Sequence, residues 1–266
     1  MPSHYTHMVF GRLVLAALPD APRALLWSHR AAYNIGLQGP DVLFYYHPLT
    51  RNPVRREGSE IHACPGSSFF RRCAGVLRRC GTPERRSYVA GCLCHYYLDS
   101  AFHPAIDASP AGHSAVEAEL DRLLMHADGV DPFSREALAH LPSFSNAREL
   151  AEILAPFYPL AGEKALEQSL RAMGRTAGLL RLRSPVKRAA VTGALRAMGK
   201  YEAYGGMFLL PWSERSCAPL CRELAKKLPE TAREAVRQME KLFPALDTGA
   251  PFDPRLKLTF GGVELD

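Results

Sequence analysis

No apolar run in this sequence is long and unbroken enough to cross a bilayer. Its opening, MPSHYTHMVFGRLVLAALPD, lacks the charged n-region and small-residue cleavage site of a secretory signal. A cytoplasmic protein with no transmembrane segment is the expectation. Internal repeats, low-complexity tracts and Gly/Ser-rich linkers are missing, which excludes solenoids and gives no boundary at which to cut the chain. Sustained strand alternation is missing too, so the fold is expected to be mainly helical. Cysteine is sparse and odd in number, seven in 266 residues, which fits reduced thiols better than a disulfide framework. Cys92 and Cys94 point to different sides of a helix, and Cys217 with Cys221 has no second pair nearby, so core packing is expected of them rather than a thiolate metal site.

A hydrophobic content of 47% is enough for a substantial core, and a disorder signature is lacking. The net charge of +6 is compatible with a polyanionic partner such as a phosphate ester, a nucleic acid or an anionic membrane, although the basic residues are spread along the chain as on a solvated surface. Helices are expected over residues 4–18 and 21–37, and another that contains Phe69, Phe70, Val76 and Leu77 and ends near Gly81, with 50–60 exposed and polar before it. Thr82, Pro83 and Glu84 form a good start for a central helix. Beyond residue 131 helices are expected over 147–157, 163–182, 185–200, 214–227 and 229–243. The helix over 185–200 is basic; such a helix can lie on a membrane, but its apolar face is Ala-rich and modest, and packing on the body is the reading preferred for it. A glycine- and aromatic-containing loop at 201–212 and an extended strap from 247 complete the chain.

The chemistry is concentrated between Tyr88 and Glu117. His95, Asp99 and His103 are spaced i, i+4, i+8, so each step turns only about 40° and all three project from one helical face. Pro104 is expected to end that helix. His113 and Glu117 then repeat the i, i+4 spacing on a second helix whose buried stripe is Val116, Leu120, Leu123 and Leu124. Imidazole and carboxylate together suit zinc that keeps a position open for water, whereas closed structural sites lean on thiolates. Upstream, Gly39 and Pro40 set a turn that presents Asp41 for metal binding or general-base work, and His62 stands ahead of the next helix. His4 and His7 lie on the first turn of the first helix, where one more ligand is available, and His47 is held in reserve.

The order His7, Gly39-Pro40-Asp41, His62, Gly91-xxx-His95-xxx-Asp99, His103-Pro104 and His113-xxx-Glu117 resembles the zinc-dependent phospholipase C family. The resemblance covers about residues 1–125. It implies the all-α, multi-helix fold shared with single-strand nucleases, and hydrolysis of phosphoric esters, most characteristically a phosphodiester. It also implies one zinc on Asp41, His62, His95 and Asp99, and a second on His103, His113 and Glu117. A third would be held by His7 and the amino-terminal backbone, with Asp99 bridging to it; secreted members supply that backbone from a processed tryptophan, and here the chain begins Met1-Pro2-Ser3. Choline-selective members place an aromatic residue after the turn aspartate, where this chain has Val42, so no choline pocket is implied.

The resulting expectation is a single globule, with a zinc-binding catalytic core over 1–130 and the helices of 131–266 packed on it. Asp41 orients or deprotonates the attacking water, and the substrate is a phosphate ester, with phospholipid one candidate. Two alternatives stand beside it. A single-strand nuclease or nucleotidase would use the same cluster with nucleic acid as substrate only, stacking bases on Phe44, Tyr45, Tyr46, Phe69 or Phe70. A non-catalytic metal-binding protein would keep the ligands without turnover. No obligate protein partner is indicated.

Overall fold

A computed structural model describes residues 4–143 and 145–265. Among them are twelve α-helices and no strand, an all-α architecture. The helices are α1 (His4–Ala17), α2 (Asp20–Ser28), α3 (Arg30–Gly36), α4 (Pro53–Ala63), α5 (Gly66–Cys80), α6 (Pro83–Asp107), α7 (His113–Ala127), α8 (Ala147–Leu154), α9 (Gly162–Leu179), α10 (Pro185–Ala197), α11 (Tyr201–Tyr204) and α12 (Ala218–Thr248). None of the described helices is long and apolar enough to cross a membrane.

Helix α6 is the axis of the molecule, with nearly every side chain from Ser87 to Ser100 buried. It starts where Thr82 accepts a hydrogen bond from the Arg85 amide at 3.3 Å, with Pro83 filling a position whose N–H has no helical partner. Helix α3 lies against it through two glycines. A Cβ on Gly36 would stand 2.9 Å from the Gly91 Cα, and one on Gly91 would stand 2.3 Å from the Tyr33 carbonyl, so only glycine permits this approach. The segment expected as one helix over 21–37 is therefore two. α3 is locked to α6, α2 buries only Leu26, and the break at His29 lets that ring pair with Glu84 at 3.1 Å.

The structure corrects three other expectations. Residues 50–60 are largely exposed, but they are the start of a helix rather than a loop: Asn52 caps α4 through the Arg55 amide at 3.0 Å, and Glu57 is buried where it meets Arg72 and the Ala161 amide. His62 consequently sits in the last turn of α4 rather than in a connection. Pro104 does not end α6, which runs on to Asp107. The proline lies so near the carboxy terminus that only one internal bond is lost, Ile106 is buried beyond it, and Gly262 of the tail packs against Pro104 and the Ser100 carbonyl. Likewise Pro229 does not divide the last helix. The stripe Leu228, Ala232, Ala235, Met239 and Leu242 stays buried on both sides of it, and several buried apolar side chains at about 2 kcal/mol each outweigh an interior-proline cost of about 3 kcal/mol.

One hydrophobic core runs from Tyr5 to Phe260, with α12 packed on α1, α5, α6 and α7. A separate small cluster of Leu182, Leu195 and Phe208 underlies α10, which forms as expected but buries Leu195 alone. All seven cysteines are free thiols, and Cys217 and Cys221 are buried. The segment expected as a loop at 201–212 begins with α11 and a 3-10 turn over Gly205–Met207.

Candidate metal centre

Each ligand-type side chain is brought in by a separate local device. Helix α1 is clamped to α7 by Asp121, whose carboxylate accepts from the Thr6 amide and hydroxyl at 2.7 Å each and from the Tyr5 amide at 3.2 Å. This satisfies the amides that open α1 and carries His7 inward. Asp41 lies in a seven-residue 3-10 turn, Gly39–Tyr45, rather than at the tip of a tight turn. The Ser169 hydroxyl of α9 donates to the Val42 carbonyl and holds that turn from behind. Gly39 has φ of +51°, and a Cβ there would meet the His95 ring at 2.4 Å. The tail closes the back: Tyr96 donates to the carbonyls of Arg255 and Leu258 at 2.8 and 2.9 Å, which sets the Phe260 ring 5.0 Å from that of His62 and 5.8 Å from that of His95.

The result is three groups whose ligand atoms lie within 4.8 Å of one another: His7, His95 and Asp99; Asp41, His62 and His95; and His103, His113 and Glu117. The third group matches the second implied zinc residue for residue. His95 is common to the first two, and Asp99 falls with His7 and His95 rather than with Asp41 and His62. One Asp99 oxygen faces His7 at 3.2 Å and His103 at 3.5 Å, while the other faces His95 at 3.1 Å, so this carboxylate stands between the groups. The amino-terminal backbone invoked for the third zinc belongs to residues 1–3, outside the described residues. Neither His4 nor His47 joins a group. His4 is buried between the Gln38 amide oxygen and the Tyr45 hydroxyl, each at 2.7 Å, and His47 sits against Tyr46 on the surface.

Hydrogen bonding tests whether these residues fit a metal. His62 Nδ1 lies 2.7 Å from the Gly58 carbonyl and His95 Nδ1 lies 3.2 Å from that of Leu37. His113 Nδ1 lies 2.6 Å from an Asp107 oxygen. Carbonyl and carboxylate oxygens only accept, so in each ring Nδ1 carries a proton, and it is the neutral tautomer whose Nε2 presents a lone pair. Those three Nε2 atoms then face Asp41 at 3.0 Å, Asp99 at 3.1 Å and Glu117 at 3.3 Å, acceptor against acceptor. His95 Nε2 and His7 Nδ1 are buried with no hydrogen-bond partner among the described residues. A cation fits these gaps. Adding protons instead would stack two imidazoliums, since the His7 and His95 rings are 4.5 Å apart between centroids. The pattern fits zinc on imidazole and carboxylate, with the far ring nitrogens oriented from outside.

In the metal-free protein the charges reflect the same crowding. Burial works to raise the Asp99 carboxyl, but His95, His103 and His7 hold it well below the usual range. Burial also opposes ionisation of Asp41, and the hydrogen bond and charge of His62, followed by the charge of His95, outweigh it. Burial is the main influence lowering His7. For His113 burial is outweighed by Glu117 and Asp107, which push it up to about 9. The floor of the site, His7, His95 and Asp99, is almost fully enclosed, whereas Asp41 and His62 keep about a fifth of their side-chain surface and His113 a third. The rim is therefore the part of the site open to solvent.

The orienting groups were the part that ligand spacing did not reveal. Asp107 stands six residues before His113 and reads as an ordinary loop acid. The carbonyls of Leu37 and Gly58 leave no mark in a sequence, and Phe260 lies more than 160 residues along the chain from His62 and His95, the ligands it covers. A family model described as zinc dependent phospholipase C matches residues 6–158. No curated protein and no solved structure gives a significant match.

Proposed function

The chain belongs to the zinc-dependent phospholipase C family, and from that premise we propose that it hydrolyses a phosphodiester of the phospholipid class at a cluster of two zinc ions, with His7 and Asp99 offering part of a third site. The observation that carries this reading is the gathering of three histidine–carboxylate pairs, His62 with Asp41, His95 with Asp99 and His113 with Glu117, into adjacent ligand groups. Zinc held by such residues lowers the pKa of a bound water and offsets the charge of phosphate oxygens, so few further catalytic side chains are needed.

The protein's own groups divide the work. Asp41 is the acid at the rim, ionised at neutral pH and pinned through Val42, so its carboxylate can accept a proton from the attacking water or orient it. His95 and Asp99 at the floor keep solvent out and fix the spacing between groups. Asp107 keeps the His113 proton on Nδ1 and its Nε2 directed inward. The positive net charge draws an anionic ester toward the rim.

The nuclease reading loses support from burial. Tyr45, Phe69 and Phe70 are core residues and offer no face for base stacking, leaving Phe44 and Tyr46 as the half-buried aromatics of the five considered. The test is Asp41→Asn with a chromogenic phosphodiester. Hydrolysis is expected to fall by about 10²- to 10⁴-fold while most zinc is retained; full turnover in the variant would remove Asp41 from the proton transfer.

A further inference from the structure

Residues 254–263, PRLKLTFGGV, lie far outside the region 6–158 that matches the family and carry no ligand-type side chain. They are folded to deliver one phenyl ring inward. Asp253 caps a 3-10 turn over Pro254–Lys257 through the Arg255 amide at 2.9 Å. Beyond it the Gly262 amide donates to the Thr259 carbonyl at 3.0 Å and the Thr259 amide donates to the Val263 carbonyl at 2.8 Å, which closes a tight turn with Gly262 at φ of +74°. Turn residues usually face water, yet Phe260 in this one is fully buried. A Cβ on Gly262 would meet the Ser100 carbonyl at 2.4 Å, so only glycine lets the turn seat this deeply against α6.

This strap stitches together the two segments that carry His62 and His95. On one side, just past His62, the Gly66 amide donates to the Leu258 carbonyl at 2.8 Å and Pro65 forms a backbone bridge with Thr259. On the other, Tyr96 beside His95 donates to the carbonyls of Arg255 and Leu258, and the Arg255 guanidinium donates to the Ser100 hydroxyl at 3.3 Å. The Leu258 carbonyl thus accepts from both. Among the described phenyl and phenol rings, Phe260 alone borders both imidazoles, at 5.0 Å from His62 and 5.8 Å from His95. Phe44 borders His62 only, at 5.4 Å. His62 needs such support, because it lies in the last turn of α4 and its bond from Nδ1 to the Gly58 carbonyl leaves the tilt of the ring open.

We infer that Phe260 is a positioning residue of the metal centre. Set against both rings, it fixes the angle between His62 and His95 and keeps water from the back of the group they form with Asp41. The inference rests on the reading of that group as a zinc site and adds the carboxy-terminal strap to it. A phenylalanine that only fills the core would cost stability when removed and leave the metal affinity of the folded protein unchanged.

The test is titration of the full chain with zinc in competition with a chromophoric chelator. Cobalt is titrated in parallel, because its visible absorption reports the geometry of the ligands. Phe260→Ala should weaken the zinc held by His62 by about 100-fold and change the cobalt spectrum, and Phe260→Leu, which keeps part of the apolar wall, should weaken it by about 10-fold. Leu256→Ala is the control: Leu256 is a buried residue of the same strap that faces Leu93, Tyr97 and Leu242 instead of the ligands. It should lower the urea midpoint and leave zinc affinity and cobalt spectrum as in the parent. If Phe260→Ala does not fold, the comparison of Phe260→Leu with Leu256→Ala decides. Phe260 variants that bind zinc and cobalt like the parent would overturn the inference, as would an equal loss of affinity in Leu256→Ala, since general loosening would then suffice. A parent chain that binds no zinc would instead remove the metal reading on which the inference stands.

Discussion

Replacing Gly39 by alanine probes the join between fold and metal site. At φ of +51° a side chain costs about 1 kcal/mol in backbone strain, and the new methyl would stand 2.4 Å from His95 Cδ2 and 2.6 Å from Cγ. Neither partner can yield cheaply. The His95 ring is fully buried, tied to the Leu37 carbonyl and stacked on His7. An overpacked contact of this kind adds about 1–3 kcal/mol, so the total loss is about 2–4 kcal/mol. Relief requires His95 to turn away, and His95 is shared by two of the three ligand groups. Gly129→Ala is the control, because its φ of +71° carries similar strain with nothing within 4 Å. Urea unfolding with zinc analysis on both variants gives the comparison. Gly129→Ala should lose about 1 kcal/mol and keep its zinc, while Gly39→Ala should lose about two to four times as much and at least one ion. Equal behaviour of the two variants would refute the close contact and with it the role of this turn in placing His95.

Asp107→Ala should weaken zinc binding by about 10- to 100-fold in a chelator competition while leaving the fold intact, because it removes the acceptor that fixes the His113 tautomer. His4 should make the protein acid-sensitive. Burial, the largest influence, lowers it from 6.5 to about 4, so the folded state holds it neutral and the unfolded state protonates first. Its contribution is present above pH 6.5 and is lost as pH falls toward 4, about 2 kcal/mol at pH 5. Denaturant unfolding of wild type and His4→Leu at pH 8 and pH 5 should show the gap between them narrowing by that amount; a constant gap would mean that His4 titrates normally.

The helical class and the ligand run were legible because they rest on local periodicity. His95, Asp99 and His103 lie on one face of α6 for the same geometric reason that their spacing suggested, and His113 with Glu117 repeats it on α7. The prolines misled because their local cost was weighed without the packing that follows. Ile106 beyond Pro104 and the Ala232–Leu242 stripe beyond Pro229 are tertiary gains that a local reading undercounts. The signal for α4 was present in Asn52-Pro53, a cap followed by proline at the first position, but the polar residues after it masked a helix that buries Val54, Gly58 and Ile61. What no spacing could supply is the outer layer around the metals, since backbone carbonyls have no sequence identity and Phe260 arrives through the folding of the tail.

Zinc content is the most direct measurement of the central claim. Plasma mass spectrometry on protein purified without a metal-affinity step, before and after chelation, should give two to three zinc ions per chain. Chelation should remove them together with hydrolysis of a phosphodiester, and added zinc should restore both. A chain that carries no zinc and binds none on titration would contradict the account, because the acceptor pairs at His62, His95 and His113 would then have to be closed by protons alone.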